Sequence, residues 1–195
     1  MVSAVTHKSQ QFIFSRIILI IFIQTTLLVI MVANRQLILS SDTVVVLETK
    51  PIDPRSLFRG DYVRLNYTIN ELKLDDLSGD QVFKKNDIVY IVLQQADQYW
   101  SARAIYLKKQ SVPEDKQYPL IQGVVKRVKS DTITTTLSVS YGIENYFVPE
   151  GEGLKLERPE PGDKVTLEIA LDKDGKAVIK TLLLNGIPQY EEALF

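Results

Sequence analysis

The stretch RGDYVRLNY, residues 59–67, gathers Arg59, Asp61, Tyr62, Arg64 and Tyr67 around a single glycine. If Gly60-Asp61 turns the chain into a strand, alternation sends Asp61, Val63, Leu65, Tyr67 and Ile69 to one face. Tyr62, Arg64, Asn66 and Thr68 then fall on the other. A carboxylate at the rim of a core face needs a cation, and Arg55 and Arg59 are near in sequence. The plain reading is a turn-locking Asp beside an Arg, since structural ion pairs are the commoner cause of such an arrangement. The sharper reading is a binding rim that presents Arg59, Tyr62 and Arg64 outward.

A second cluster, YGIENYFVPEGEG, spans residues 141–153. It leads from Tyr141 and Tyr146 through a proline to Glu150 and Glu152, which alternate with glycines. Surface loops of this kind often carry binding functions. A hard cation would suit the carboxylates, but the fixed-spacing oxygen ligands of a calcium loop are absent, so no metal is expected. DKDG at residues 172–175 also fails the calcium pattern and reads as a hairpin turn. No glycine pair meets a phosphate-binding fingerprint, and no cofactor is expected.

Composition removes many other chemistries. The 195-residue chain has no cysteine, so disulfides, thiolate catalysis and Cys-based zinc sites are excluded. Its one histidine, His7, cannot build a Ser-His-Asp triad in the domain or a multi-histidine metal site. With 23 basic and 24 acidic residues the net charge is −1, which lacks the footprint of a nucleic-acid binder. A membrane segment followed by DPRSLFRGDYV invites comparison with bacterial signal peptidases, whose nucleophilic Ser precedes a Pro. Here Ser56 follows Pro54, and the position two before that proline is Ile52. A Ser-Lys dyad has no matching context.

What must position these residues is an anchor and a β-domain. Residues 17–33, IILIIFIQTTLLVIMVA, carry no charge, and with Phe12, Ile13 and Phe14 they reach the ~20 residues that cross a bilayer. Arg16 and Arg35 flank the segment. A core helix would show a polar stripe, and a cleaved signal peptide a shorter apolar run, so an uncleaved anchor is expected. Flanking charge is nearly balanced. The short tail and large C-terminal part suit a signal-anchor with a cytoplasmic N-terminus.

From Asp42 onward alternation replaces continuous hydropathy. TVVVLET, closed by Pro51 and Pro54, reads as a strand and corner. DYVRLNYTI, DIVYIVLQ, YWSARAIYL, IQGVVKRV, TITTTLSVSY, KVTLEIALD and AVIKTLLL continue the series, with DIVYIVLQ apolar enough to be central. RGDYVRL, KNDIVYI and PGDKVTL each place a turn residue and an Asp before a strand. Only INELKLDDLSG reads as a site for a short helix. The expected fold is mainly β: a single transmembrane helix followed by an antiparallel sandwich or barrel-like domain. The boundaries are 1–41 for tail and anchor and 42–195 for an extracytoplasmic all-β domain.

GDYVRLNY, residues 60–67, resembles the signature of the bacterial GDYXXLXY family. TKPIDPRSLFRGDYVRLNY, DIVYIVLQ, YGIENYFVPEGEGLKLE and LDKDGKAVIKTLLLNG follow in that family's order, from about residue 49 to 186. QADQYWSARAI departs from its pattern. The resemblance implies a small protein of the bacterial inner membrane, associated with polytopic membrane proteins, and it brings no reaction with it. It maps motif positions onto Arg59, Gly60, Asp61, Tyr62, Leu65 and Tyr67, and onto Tyr141, Gly142, Tyr146, Pro149, Glu150 and Gly151. The expected function is binding or accessory, with the lipid bilayer and a polytopic membrane protein as partners and no nucleic acid. Arg59, Asp61, Tyr62, Tyr67, Tyr141, Tyr146, Glu150 and Glu152 are the candidate contacts. The runner-up is a hydrolase that uses Asp61 with Glu150 or Tyr67 as an acid/base pair.

Overall fold

The computed structural model describes residues 3–50, 62–113, 115, 117–132, 134–147 and 163–191. The chain divides into two compact units, Met1–Leu37 and Ile38–Phe195. The first is one long helix, α1 (Ser3–Leu39). Within it Phe14–Leu39, 26 residues with a mean hydropathy of 2.5, is long and apolar enough to cross a membrane. Phe22, Leu28 and Met31 point outward from different sides of this helix and all are exposed. An apolar surface running all round a helix suits a hydrocarbon solvent better than water.

The second unit is built from strands whose alternation turns one face inward. A four-stranded antiparallel sheet has the order β1 (Val44–Glu48), β10 (Val165–Leu171), β11 (Ala177–Leu184), β12 (Ile187–Glu191). A six-stranded sheet runs β3 (Glu71–Lys73), β8 (Thr135–Ser140), β7 (Leu120–Ser130), β5 (Ile88–Ala96), β6 (Tyr99–Tyr106), β4 (Ser78–Gly79). Only the short β4–β6 pairing is parallel among the described strands. A two-stranded ribbon joins β2 (Tyr62–Arg64) to β9 (Asn145–Phe147). This is a mainly β fold after one apolar helix, and β5 is interior to its sheet as its composition implied.

Both large sheets face one core. Val45, Leu47, Leu167, Ile169 and Leu182 enter it from the smaller sheet, and Val89, Ile91, Leu93, Ile105, Ile121 and Leu137 from the larger. Each such side chain, removed from water, contributes about 1.5–3 kcal/mol. The two sheets are also laced by backbone. The Gln122 N–H donates to the Gly175 carbonyl at 2.7 Å. Gly175 has φ +84, and a Cβ there would lie 2.9 Å from the Gln122 nitrogen. The β10–β11 turn therefore seats on β7 only with glycine at its corner.

Two readings of the sequence change in detail. DYVRLNYTI does not run as one strand: β2 ends at Arg64 and a 3-10 turn forms over Thr68–Asn70. The cause is local. Asn70 Oδ1 accepts the Tyr67 N–H, and the Asn70 N–H donates to the Tyr67 carbonyl, so a side chain replaces the ladder. The facing still follows the alternation, with Leu65, Tyr67 and Ile69 buried and Arg64 exposed. INELKLDDLSG, read as a site for a short helix, holds this 3-10 turn and a second one, Leu74–Asp76, with β3 between them and β4 at its end. Strands β9 and β12 were not legible. β12 follows a two-residue turn in which Asn185 (φ 53) and Gly186 (φ 78) are both left-handed, and Pro188 lies on this edge strand. The corner expected at Pro51 and Pro54 lies outside the described residues.

Candidate functional site

The two sequence clusters meet. In the β2–β9 ribbon, Tyr62 pairs with Phe147, Val63 with Tyr146, and Arg64 with Asn145. The chain then continues in register, with the Leu65 N–H donating to the Glu144 carbonyl at 2.8 Å. On its other side the first motif is tied to the end of β1. Thr49 bridges Tyr67, and the Lys50 N–H donates to the Asn66 carbonyl at 2.6 Å. Residues 65–70 are thus threaded between β1 and the turn at residues 141–144.

Four side chains fasten this junction. The Tyr67 hydroxyl donates to the Ile143 carbonyl at 2.8 Å, and the Tyr141 hydroxyl donates to the Ile69 carbonyl at 2.6 Å. Asn70 Nδ2 donates to the Val139 carbonyl at 2.8 Å and reaches Glu144 Oε1 at 3.3 Å. The Glu144 carboxylate also accepts the backbone N–H groups of Tyr141 and Gly142. Gly142, at φ +80, supplies the left-handed corner that brings these amides onto one carboxylate.

Burial sets the electrostatics. Tyr67 is 1% and Tyr141 7% exposed, and loss of solvent pushes both phenols well above their ordinary range, with the negative charge of Glu144 adding to the rise. Both stay neutral donors at neutral pH. The ring of Tyr141 lies over Gly123 of β7, where an added Cβ would stand 3.1 Å from it. Among the described residues no buried side-chain nitrogen or oxygen lacks a partner. The junction is a closed clamp of satisfied polar groups.

The candidate contacts therefore separate into two sets. Tyr67, Tyr141 and Tyr146 are buried in the clamp. Tyr62 opens β2, and Arg59, Asp61, Glu150 and Glu152 lie outside the described residues, as do Pro149 and Gly151. Among the described residues no group of three or more His, Cys, Asp or Glu side chains is arranged to hold a metal ion. A groove of about 440 Å³ opens elsewhere, lined by Val46, Tyr99, Lys164, Thr166, Glu168 and Leu183 among others, and by no motif residue. At its side Lys164 stands 3.7 Å from Glu48 and 5.5 Å from the Tyr99 ring centroid.

Sequence reasoning passed over Asn70, Glu144 and Gly123. Glu144 had a signal, since a Glu two residues after a turn glycine is placed to take that turn's amides. Asn70 and Gly123 had none, because their roles depend on strands remote in sequence.

A β-domain of two laced sheets, clamped by paired tyrosines and preceded by one helix of membrane-spanning length, defines the class. A family model described as GDYXXLXY protein matches residues 24–182, and the chain belongs to that family. No curated protein and no solved structure matches it.

Proposed function

We propose that the chain is a single-pass protein of a bacterial inner membrane, with residues 1–41 as tail and anchor. Residues 42–195 form a β-domain outside the cytoplasm that binds a polytopic membrane protein as an accessory. The observation that supports this is the Tyr62–Phe147 pairing. Asp61 and Val148 are bonded directly to those paired ends, so the sequence segments with Arg59 and Asp61, and with Glu150 and Glu152, are attached at the same end of the ribbon. The clamp gives that end of the ribbon a rigid base, which favours a binding role for the residues attached to it.

Hydrolytic chemistry is less well supported. Tyr67, one candidate acid/base, has its hydroxyl committed to the Ile143 carbonyl in a buried setting. Tyr67, Tyr141 and Tyr146 act as foundation in this reading, and Arg59, Asp61, Tyr62, Glu150 and Glu152 act as contacts.

Crosslinking in a bacterial membrane tests the proposal. Wild type is compared with Asp61→Ala and with the pair Glu150→Ala/Glu152→Ala, each checked for folding by protease resistance. A discrete adduct with another membrane protein, lost in folded variants, is the expected result. An adduct that survives both changes would place the contact elsewhere on the domain.

A further inference from the structure

We propose that the end of the six-stranded sheet around residues 82–88 and 124–129 is a docking surface for an anionic lipid headgroup layer; it rests on the membrane-anchored reading. The turn before β5 is held against β7 by two backbone bonds, Asn86 N–H to the Val125 carbonyl at 2.7 Å and Val125 N–H to the Asp87 carbonyl at 2.9 Å. Beyond them Ile88 pairs with Val124. These contacts set Lys84 and Lys85 beside Lys126, Arg127 and Lys129, and all five cations are exposed.

Few acids answer them. Asp131 stands 3.5 Å from Lys129, and Asp87 spends a carboxylate oxygen on the Lys84 backbone N–H at 2.7 Å. Glu71 shares a cross-strand row with Arg127 through Ser138, but Lys73 occupies the matching place beside Lys129 through Thr136. Among the described residues Lys84, Lys85, Lys126 and Arg127 form no ion pair.

Apolar side chains are mixed with the charges: Val82 is 76% exposed and Ile88 51%. Cations bring a surface to anionic headgroups, and aliphatic side chains beside them enter the interfacial layer. A water-facing patch gains nothing from the valine and isoleucine, and the clustered lysines repel one another there. Only residues 40–43 separate α1 from β1, so in the membrane-anchored reading the domain is tethered to the lipid layer by a link of less than about 20 Å.

The absence of cysteine makes the test direct. The full chain carrying Val82→Cys, labelled with a polarity-sensitive dye, is placed in nanodiscs of phosphatidylcholine alone or mixed with phosphatidylglycerol. Expected is a blue shift and quenching by a lipid-borne quencher in the anionic discs only, reversed by salt. Each cation removed should lower the docked-to-free ratio about fivefold, so Lys126→Gln/Arg127→Gln/Lys129→Gln should abolish the shift. Lys173→Gln, on an exposed turn outside the patch, should leave it unchanged. The same spectrum in neutral and anionic discs overturns the proposal, as does a shift indifferent to the triple change. So does a shift seen only in native membranes and lost with their other proteins, which would make the occupant a protein. Failure of the chain to enter discs at all sinks the anchor reading instead, and this surface with it.

Discussion

Tyr67 and Tyr141 clamp each other's segments reciprocally. Each hydroxyl donates to the carbonyl two residues beyond the other tyrosine, Tyr67 to Ile143 and Tyr141 to Ile69. The exchange joins the signature of the first motif to the start of the second. It leaves neither ring available to an outside partner, and it roots the two motif segments beside one another.

Replacing either tyrosine by phenylalanine keeps the ring and orphans one buried carbonyl. Tyr67→Phe and Tyr141→Phe should each cost about 1–2 kcal/mol. Because the two bonds brace one junction, the double change should differ from the sum of the singles. Denaturant unfolding of the detergent-solubilised protein measures all three. Strict additivity would mean that the bonds act independently.

Asn70 uses both ends of its amide, accepting from Tyr67 and donating to Val139 and Glu144. Asn70→Ala should cost about 2–3 kcal/mol, since it leaves a buried N–H and a buried carbonyl unpaired. Asn70→Asp should cost more, because it turns an oxygen toward the Val139 carbonyl and Glu144 where a donor stood. An aspartate variant as stable as wild type would refute the assigned orientation of this amide.

The same phenols set an alkaline limit. Both are held protonated above their ordinary range, first by burial and then by Glu144, whereas unfolded each titrates near about 10. Above that pH the unfolded chain has released protons the folded chain retains, so it binds fewer and stability falls as pH rises. Below it their contribution is fully present. Each tyrosine adds a slope of about 1.4 kcal/mol per pH unit. Unfolding midpoints followed into alkali should fall more steeply for wild type than for either phenylalanine variant, and equal slopes would exonerate these tyrosines.

Gly123 is where β7 makes room for the clamp. A Cβ built there comes within 2.5 Å of Val139 Cγ1 and 3.1 Å of the Tyr141 ring. Gly123→Ala should destabilise by about 1–3 kcal/mol through overpacking. Val139→Ala in the same chain should recover part of the loss. If the alanine variant unfolds with wild type, the ring does not rest on that strand.

Much of this fold follows from alternation. The continuous apolar run of β5 marked it as interior to its sheet, and the period of two placed Tyr67 with Leu65 and Ile69 on the core side. It erred where a side chain took over backbone pairing, at Asn70. It does not reach β12, a short edge strand with Pro188 as its second residue, after the Asn185-Gly186 turn. The clamp itself was beyond reach, since its two bonds join residues 76 and 72 positions apart. The motif tyrosines invite a reading as contacts because phenols serve interfaces and cores equally well, and only burial separates the two roles.

The DKDG turn offers a last contrast, between two aspartates in one short segment. Asp172 Oδ1 accepts the N–H groups of Asp174 and Lys176, both at 2.8 Å, and so shapes the corner that delivers the Gly175 carbonyl to Gln122. Asp174 instead pairs with Lys109 across the surface, a bond that lowers the Asp174 pKa and raises that of Lys109. Both partners are solvated, so holding two mobile side chains together cancels most of what the attraction supplies. Asp172→Ala should therefore cost about 1–2 kcal/mol, while Asp174→Ala should leave the unfolding midpoint unchanged. Thermal melts of the two variants in moderate salt decide the matter. If Asp174→Ala proves the more damaging, the sheets are laced by charge and not by the turn.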